Sequence, residues 1–485
     1  MVEKFQPIIE LVALKSYSIV FAAIVLIIFI SSMDDLCLDV FFLIRRMYRR
    51  FFIQRFITRA SGESLANLDK PQQAFAICVP AWDEGAVIGQ MLARAVQDIR
   101  YDNYRIFVGV YQNDAETRAV IEALFKANPV CRQRVVIVDH PRNGPTTKAD
   151  CLNTIYAHLN RAGAWPHEDG LAGFILHDAE DVIHPRELVV FNHLIEKADV
   201  IQLPVLPLVR PFWDLIGGHY QDEFAESHTK DMVMREALRS GMPSAGVGCA
   251  FSKRALQSLA SKRGGIPFDT SSITEDYDLA LDICAQGFRP MFVRLPSAAG
   301  SKSYVATHEY FPNTFSAAVK QKSRWLFGIA LDSWNRRGWQ GPFVTRYMFW
   351  RDRKSIVTSI TAAAAYAVLL VFLIAALIQN TAFSNQLAAI APPGGIVAMV
   401  LWINLGFLVV RVLSRCLFVY RYYGLWHALI SPLRIVMGNV INFCAAYRAT
   451  KLYYATQISG VQTAWSKTQH QFPTRDAKVS DPGDR

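Results

Sequence analysis

Apolar residues run almost unbroken from Leu11 to Met33, with a charge-free centre at Tyr17–Ile30. A run of this length suits a helix that crosses a bilayer, which needs about 20 residues. Glu3, Lys4, Glu10 and Lys15 make its start polar, and Asp34 and Asp35 follow it. No small-residue cleavage site follows the apolar stretch, so it reads as an uncleaved anchor and not as a signal peptide. Between residues 52 and 310 the long apolar runs disappear. Short Val/Ile-rich segments at Ala74–Val79, Arg105–Val110, Arg134–Val138 and Gly173–Leu176 alternate there with helix-like stretches. That rhythm predicts a doubly wound α/β domain with a mostly parallel sheet. The pattern turns apolar again at Ser355–Ile378 and at Gly395–Val410. The second of these extends to about Tyr420, with Arg411 and Arg415 placed where long side chains can snorkel. Pro432 and Arg434 interrupt Gly424–Tyr447, which reads as interfacial or re-entrant helices. Residues 474–485, rich in charge and turn formers, read as a frayed end.

The expected division is an N-terminal anchor with an interfacial helix (1–51), the α/β domain (52–310), interfacial helices (311–354), transmembrane and interfacial helices (355–447) and a tail (448–485). Composition agrees with membrane spans: 52% of the 485 residues are hydrophobic and mean hydropathy is +0.17. The net charge of +10 suits either a nucleic-acid surface or the cytoplasmic flanks of spans. Its location decides. Arg45, Arg46, Arg49, Arg50 and Arg55 follow the first span, and Arg351, Arg353 and Lys354 precede the second. No zinc knuckle, recognition-helix pattern or basic repeat is present, so nucleic acid is excluded as a partner. The charge rule places the α/β domain and the tail in the cytoplasm and the linker Gln379–Gly394, which has no Lys or Arg, outside. The eight cysteines form no CxxC pair, which argues against a zinc site or a disulfide framework and for a reducing compartment.

Charged residues follow each predicted strand within a few positions: Asp83 and Glu84, Asp114 and Glu116, Asp139, then Asp178 and Glu180. Ligands of open α/β sheets bind beyond the strands' carboxyl ends, so four such coincidences suggest one site. Asp178 and Glu180, two apart after a strand, suit Mg²⁺ or Mn²⁺ holding a diphosphate. The same acidic run reads equally as a solvated turn, or as Asp181 capping the next helix. Asp83 and Glu84, after Pro80, could accept hydrogen bonds from a ribose or base, or simply sit at a helix N-terminus. Lys148, in the loop that runs on to Asn153, is placed to neutralise a diphosphate, but the P-loop pattern is absent. Thr274-Glu275-Asp276 precedes a helix-like stretch. Asp276 could take a proton from an attacking hydroxyl, or Thr274 could be an N-cap with acids in the first turn. Gln321, Arg324 and Trp325, at i, i+3 and i+4, share a helical face that could bind a sugar and also anchor at a membrane interface.

Taken in order, Val79-Pro80-x-x-Asp83-Glu84, Asp114, Lys148-Ala149-x-x-Leu152-Asn153, Asp178-x-Glu180, Thr274-Glu275-Asp276 and Gln321-x-x-Arg324-Trp325 resemble the motif series of family 2 glycosyltransferases. The resemblance implies a GT-A fold, a nucleotide-sugar donor (commonly a UDP-sugar) and inversion at the anomeric carbon. It assigns Pro80, Asp83, Glu84, Asp114, Lys148 and Asn153 to the donor, Asp178 and Glu180 to the metal, and Asp276 with Glu275 to catalysis. Gln321, Arg324 and Trp325 go to the acceptor or diphosphate, a motif typical of processive members. Asp34-Asp35-Leu36, Val110-Tyr111-Gln112-Asn113-Asp114, the Asn442 segment and Trp465-x-Lys467-Thr468-x-His470 resemble the glycosyltransferase module of the bacteriophage adsorption protein B group, with Trp465, Lys467 and His470 as a gating loop. Glu180 departs from the commoner Asp, and the spans are fewer than cellulose synthases use for translocation. The expected function is extension of an exopolysaccharide at the bacterial inner membrane from a UDP-sugar, conceivably a UDP-N-acetylhexosamine, with an outer-membrane or export partner. The alternatives are a single addition to a lipid-linked acceptor, or a non-catalytic receptor or scaffold for phage adsorption or export.

Overall fold

A computed structural model describes residues 2–53, 70–161, 170–297, 303–377, 390–459 and 471–473. The expected gating residues Trp465, Lys467 and His470, the end 474–485 and most of the linker before Gly394 lie outside these residues.

Among the described residues nine strands form: β1 (Ala74–Pro80), β2 (Tyr104–Tyr111), β3 (Val135–His140), β4 (Leu171–Leu176), β5 (Val200–Gln202), β6 (Val205–Pro207), β7 (Cys249–Ser252), β8 (Pro290–Phe292) and β9 (Thr307–Glu309). Seven make one sheet in the order β3-β2-β1-β4-β7-β5-β8, in which only β7 runs antiparallel to its neighbours. β6 and β9 pair in parallel beside it. The first four expected strands are all present.

Both faces of the sheet are covered. Ile77, Val79, Ile106, Val108 and Ile175 point into one apolar core, under the Ile88–Asp98 helix, while Ala76, Cys78, Phe107, Phe174 and Phe251 point into the other, under the Lys148–Leu159 helix. This explains why β1 is buried along its whole length and reads as a near-continuous apolar run instead of an alternation. The order reverses at β1, between β2 and β4, so the loops after β1 and β4 open beside each other at the carboxyl edge.

Among the described residues four helices are long and apolar enough to cross a membrane, with candidate spans at Tyr17–Phe52, Phe343–Val371, Ile396–Tyr423 and Leu425–Ile458. Just past the first apolar run, Asp34 and Asp35 meet cations of the second and third helices. Lys354 Nζ lies 2.6 Å from Asp34 and 3.1 Å from Asp35, Arg351 bonds both carboxylates, and Arg411 reaches Asp35 at 3.0 Å.

The segment after Gly424, expected as interrupted pieces, is one helix, Leu425–Ser459, with Pro432 inside it. One flank packs on the α/β side, where Arg434 is buried and pairs with Asp222 at 3.0 Å. The other flank exposes Leu425, Trp426, Leu429 and Leu433.

Candidate active site

A cavity of about 900 Å³ opens at the carboxyl edge of the sheet and reaches the long helices. Pro80, Glu84, Lys148, Asp178, Glu180, Glu275, Asp276, Gln321, Arg324 and Trp325 all line it, although they come from five separate stretches of chain.

The acidic turn after β4 is held from below. His177 is fully buried, with Nδ1 2.8 Å from Asp181 Oδ2 and Nε2 2.6 Å from Glu187 Oε1. Burial would lower its pKa, but Glu187 and Asp181 outweigh burial and raise it to about 10. Asp181 Oδ2 also accepts the Asp178 backbone N–H at 2.9 Å. Asp181 therefore shapes the turn from which Asp178 and Glu180 reach the cavity and does not cap the next helix, whose N-cap position is Arg186.

Lys148 begins a helix capped by Thr147, whose hydroxyl accepts from the Asp150 N–H at 3.1 Å. Its ammonium lies 2.5 Å from Asp178 Oδ1. Burial would push the Lys148 pKa down, but Asp178, then Glu275 and Asp276, hold it well above its usual range. A ligand's phosphates would compete with these carboxylates for the charged Lys148 ammonium.

Glu275 and Asp276 occupy the first turn of the Glu275–Ala285 helix. Thr274 stands at the N-cap position, yet its side chain makes no capping bond and its buried hydroxyl has no partner among the described residues. Gly328 packs against the Thr274 side chain, where a Cβ would collide. Burial raises the pKa of both carboxyls; beyond burial, Asp276 raises that of Glu275, whereas Lys148 lowers both. Gly246 turns at φ +81°, and a Cβ there would run into the Asp276 carboxylate.

The Phe315–Leu326 helix presents Gln321, Arg324 and Trp325 to the cavity, as their spacing predicts. Gln321 is buried and its Oε1 has no partner among the described residues. Trp325 packs edge-on against Tyr220 and Phe311, with centroids at 6.1 and 6.3 Å. Lys322, between the lining residues, turns away to Glu223 at 2.5 Å and to Asn442 of the last long helix at 2.9 Å.

Three expected donor residues stand apart from the lining. Asp114 caps the Ala115–Ala127 helix by accepting from Thr117 N–H at 3.2 Å, and also accepts the Asp83 N–H at 2.5 Å. Asp83 is exposed and holds a left-handed φ of +57°, a conformation that non-glycine residues adopt at a cost. Asn153 bonds the Phe268 backbone in both directions, at 2.8 and 3.0 Å. Several lining residues were not anticipated, among them Asp231, Arg235, Glu309 and Arg448. Glu309, at the end of β9, faces the cavity; burial, then Asp181, Glu180 and Asp178, raises its pKa. Its strand has three residues, too few to show an alternation.

Asp178 and Glu180 offer hard oxygen ligands of the kind a divalent cation takes, and Lys148 already places positive charge on Asp178. Among the described residues no three His, Cys, Asp or Glu side chains are gathered to hold an ion alone. Asp178 and Glu180 would therefore need a ligand's phosphate oxygens and water to complete the shell of a Mg²⁺ or Mn²⁺ ion.

Residues 173–379 match the family model described as glycosyl transferase family group 2. The chain is 37% identical over 476 residues to bacteriophage adsorption protein B of Escherichia coli strain K12, covering 95% of this chain and 63% of that protein. Bacteriophage N4 adsorption protein B of Escherichia coli O157:H7 matches to the same extent. The chain thus spans less than two thirds of the length of these relatives. Among solved structures, glucosyl-3-phosphoglycerate synthase from Mycobacterium tuberculosis, in complex with Mn²⁺ and uridine-diphosphate-glucose, is 15% identical, covers 40% of this chain and 62% of its own, and has a TM-score of 0.25.

Proposed function

We propose that this chain, which carries a domain of glycosyl transferase family group 2, is an inverting transferase that moves a sugar from a UDP-sugar to a growing exopolysaccharide at the inner membrane. The observation that carries the reading is the meeting of Lys148, Asp178, Glu180, Asp276 and the Gln321-Arg324-Trp325 face on one cavity. In this reading the acceptor hydroxyl gives its proton to an Asp276 carboxylate oxygen as its oxygen attacks the anomeric carbon. A new C–O bond forms opposite the bond to the diphosphate, which breaks, and the electron pair leaves with UDP. Lys148 and Arg324 neutralise the departing charge in place. Asp178 and Glu180 are the residues that would hold a divalent ion, which when bound would supply further positive charge at the diphosphate. Trp325 gives a sugar ring an apolar face, and Gln321 Oε1 is an acceptor awaiting a hydroxyl.

Membranes containing the protein, given a panel of UDP-sugars with Mg²⁺ or Mn²⁺, are expected to release UDP with at least one donor. Asp276→Asn is expected to lower that release by about 10²- to 10⁴-fold while UDP still binds. Unchanged release would remove Asp276 from the base role, and no release with any donor would favour a nucleotide-sugar-binding scaffold. A second reading, single addition to a lipid-linked acceptor, draws support from the cavity's reach to Leu38 and Met348 of the first two long helices. A ladder of products supports polymerisation; one added sugar supports the lipid acceptor.

A further inference from the structure

The turn between β6 and the Leu215–Glu226 helix holds a tryptophan out of the α/β domain. Trp213 is 68% exposed, with Phe212 packed edge-on against it at 5.0 Å. An aromatic side chain of this size forfeits its burial if it stands in water. Yet the turn is built rigidly. The Asp214 N–H donates to Pro211 O at 2.9 Å, and Asp214 Oδ1 accepts from the Gly217 N–H at 2.7 Å. Phe212 O accepts from Arg434 Nη2 at 2.8 Å, and Arg434 is itself buried against Asp222.

The aromatic pair is continuous with the long helices. Phe212 lies 6.1 Å from Trp426, which is 60% exposed, and Leu425, Leu429 and Leu433 carry the apolar surface on along the last helix. That helix begins one residue after the Ile396–Tyr423 helix ends, across a turn at Gly424 with φ +84°. The patch therefore adjoins the end of a candidate span, with Arg421 in that span's last turn, and exposed aromatic residues at span ends commonly mark membrane–water boundaries.

We infer that the Phe212–Trp213 turn inserts into the headgroup–acyl boundary of the bilayer beside Trp426, so that the α/β domain carries its own membrane anchor. The inference rests on the long helices lying in a membrane and not on the transferase reading. A covalent connection to spans leaves a domain free to tilt, whereas a rigid aromatic wedge fixes its height over the lipid. Arg434 of the last helix bonds both Phe212 O in the wedge and Asp222 in the Leu215–Glu226 helix, so domain and last helix would meet the lipid as one body.

The test uses the full chain in vesicles of phosphatidylcholine and phosphatidylglycerol, with Cys37, Cys284, Cys416 and Cys444 changed to serine, the other cysteines being buried. An environment-sensitive fluorophore is attached at Trp213→Cys, and separately at Leu370→Cys in the second long helix and at Val130→Cys on the α/β domain, both exposed positions. The label at 213 is expected to shift to the blue and to be quenched by lipids carrying a shallow nitroxide, the label at 370 by a deep nitroxide, and the label at 130 by neither. A label at 213 that behaves as at 130, while 370 is quenched, overturns the anchor and leaves the spans standing. A blue shift at 213 without lipid quenching means that a protein, such as a second copy, covers the turn, and also overturns it. No quenching at 370 removes the membrane premise and the anchor with it. In the chain with all its tryptophans, brominated lipids should quench more of the emission than in Trp213→Phe; equal quenching would count against the anchor.

Discussion

At Gly246 the chain turns with φ +81°, and the one atom that alanine would add is directed at the Asp276 carboxylate. The glycine thus serves both the backbone and the candidate base. Gly246→Ala is expected to lower UDP release about 10- to 100-fold, since displacing a reacting group by about an ångström has effects of that size. The loss of stability should be only about 1–3 kcal/mol, the cost of a strained φ. A melting temperature lowered by only some degrees together with lost turnover would show the effect; retained turnover would show that Asp276 moves without consequence. At the residue scale, the gathering of Lys148, Asp178 and Asp276 on one cavity was legible because several motifs had to fall in order. It was less legible where one residue type serves two purposes. Asp114 at a helix N-cap looks the same in sequence whether its carboxylate meets a ligand or the Thr117 amide, and here it accepts from Thr117 and Asp83.

Between elements, the Phe315–Leu326 helix is held by the residue that its lining motif skips. Lys322 is buried between Glu223 and Asn442, and Glu223 is kept ionised there: burial would raise its pKa, but Lys322 and other cations bring it down to about 2. Removing one member of a buried pair leaves an uncompensated charge and costs about 3–5 kcal/mol. Lys322→Met is therefore expected to lower the melting temperature strongly, and Lys322→Met combined with Glu223→Leu to recover much of the loss. Additive losses in the double variant would show that the pair is not coupled. The same scale explains the misread last helix. Proline inside a helix removes a hydrogen bond and crowds the preceding turn, so Pro432 argued for a break. The pairing of Arg434 with Asp222 and the packing of Ile441 with Val205 and Tyr220 on the α/β side outweigh that local preference, and only tertiary structure reveals them. The sheet, by contrast, announced itself, because strands buried on both faces are written as apolar runs.

Across the whole molecule, catalytic-type chemistry and membrane-type helices are joined by charge. Asp34 and Asp35, with Arg351, Lys354 and Arg411, tie three long helices together at one level. Changing both aspartates to asparagine is expected to lower the thermal stability of the detergent-extracted protein, and to lower it less at high salt, because only the exposed part of the network is screened. An unchanged melting temperature would show that apolar packing alone holds the helices. Asp34 also imposes an order on biosynthesis. Its partner Arg351 follows it by 317 residues, so the first helix is made, and must hold its depth, long before the cations that complete it exist. Until then two unpaired carboxylates resist being drawn into lipid, and they act as a stop that later becomes a clasp.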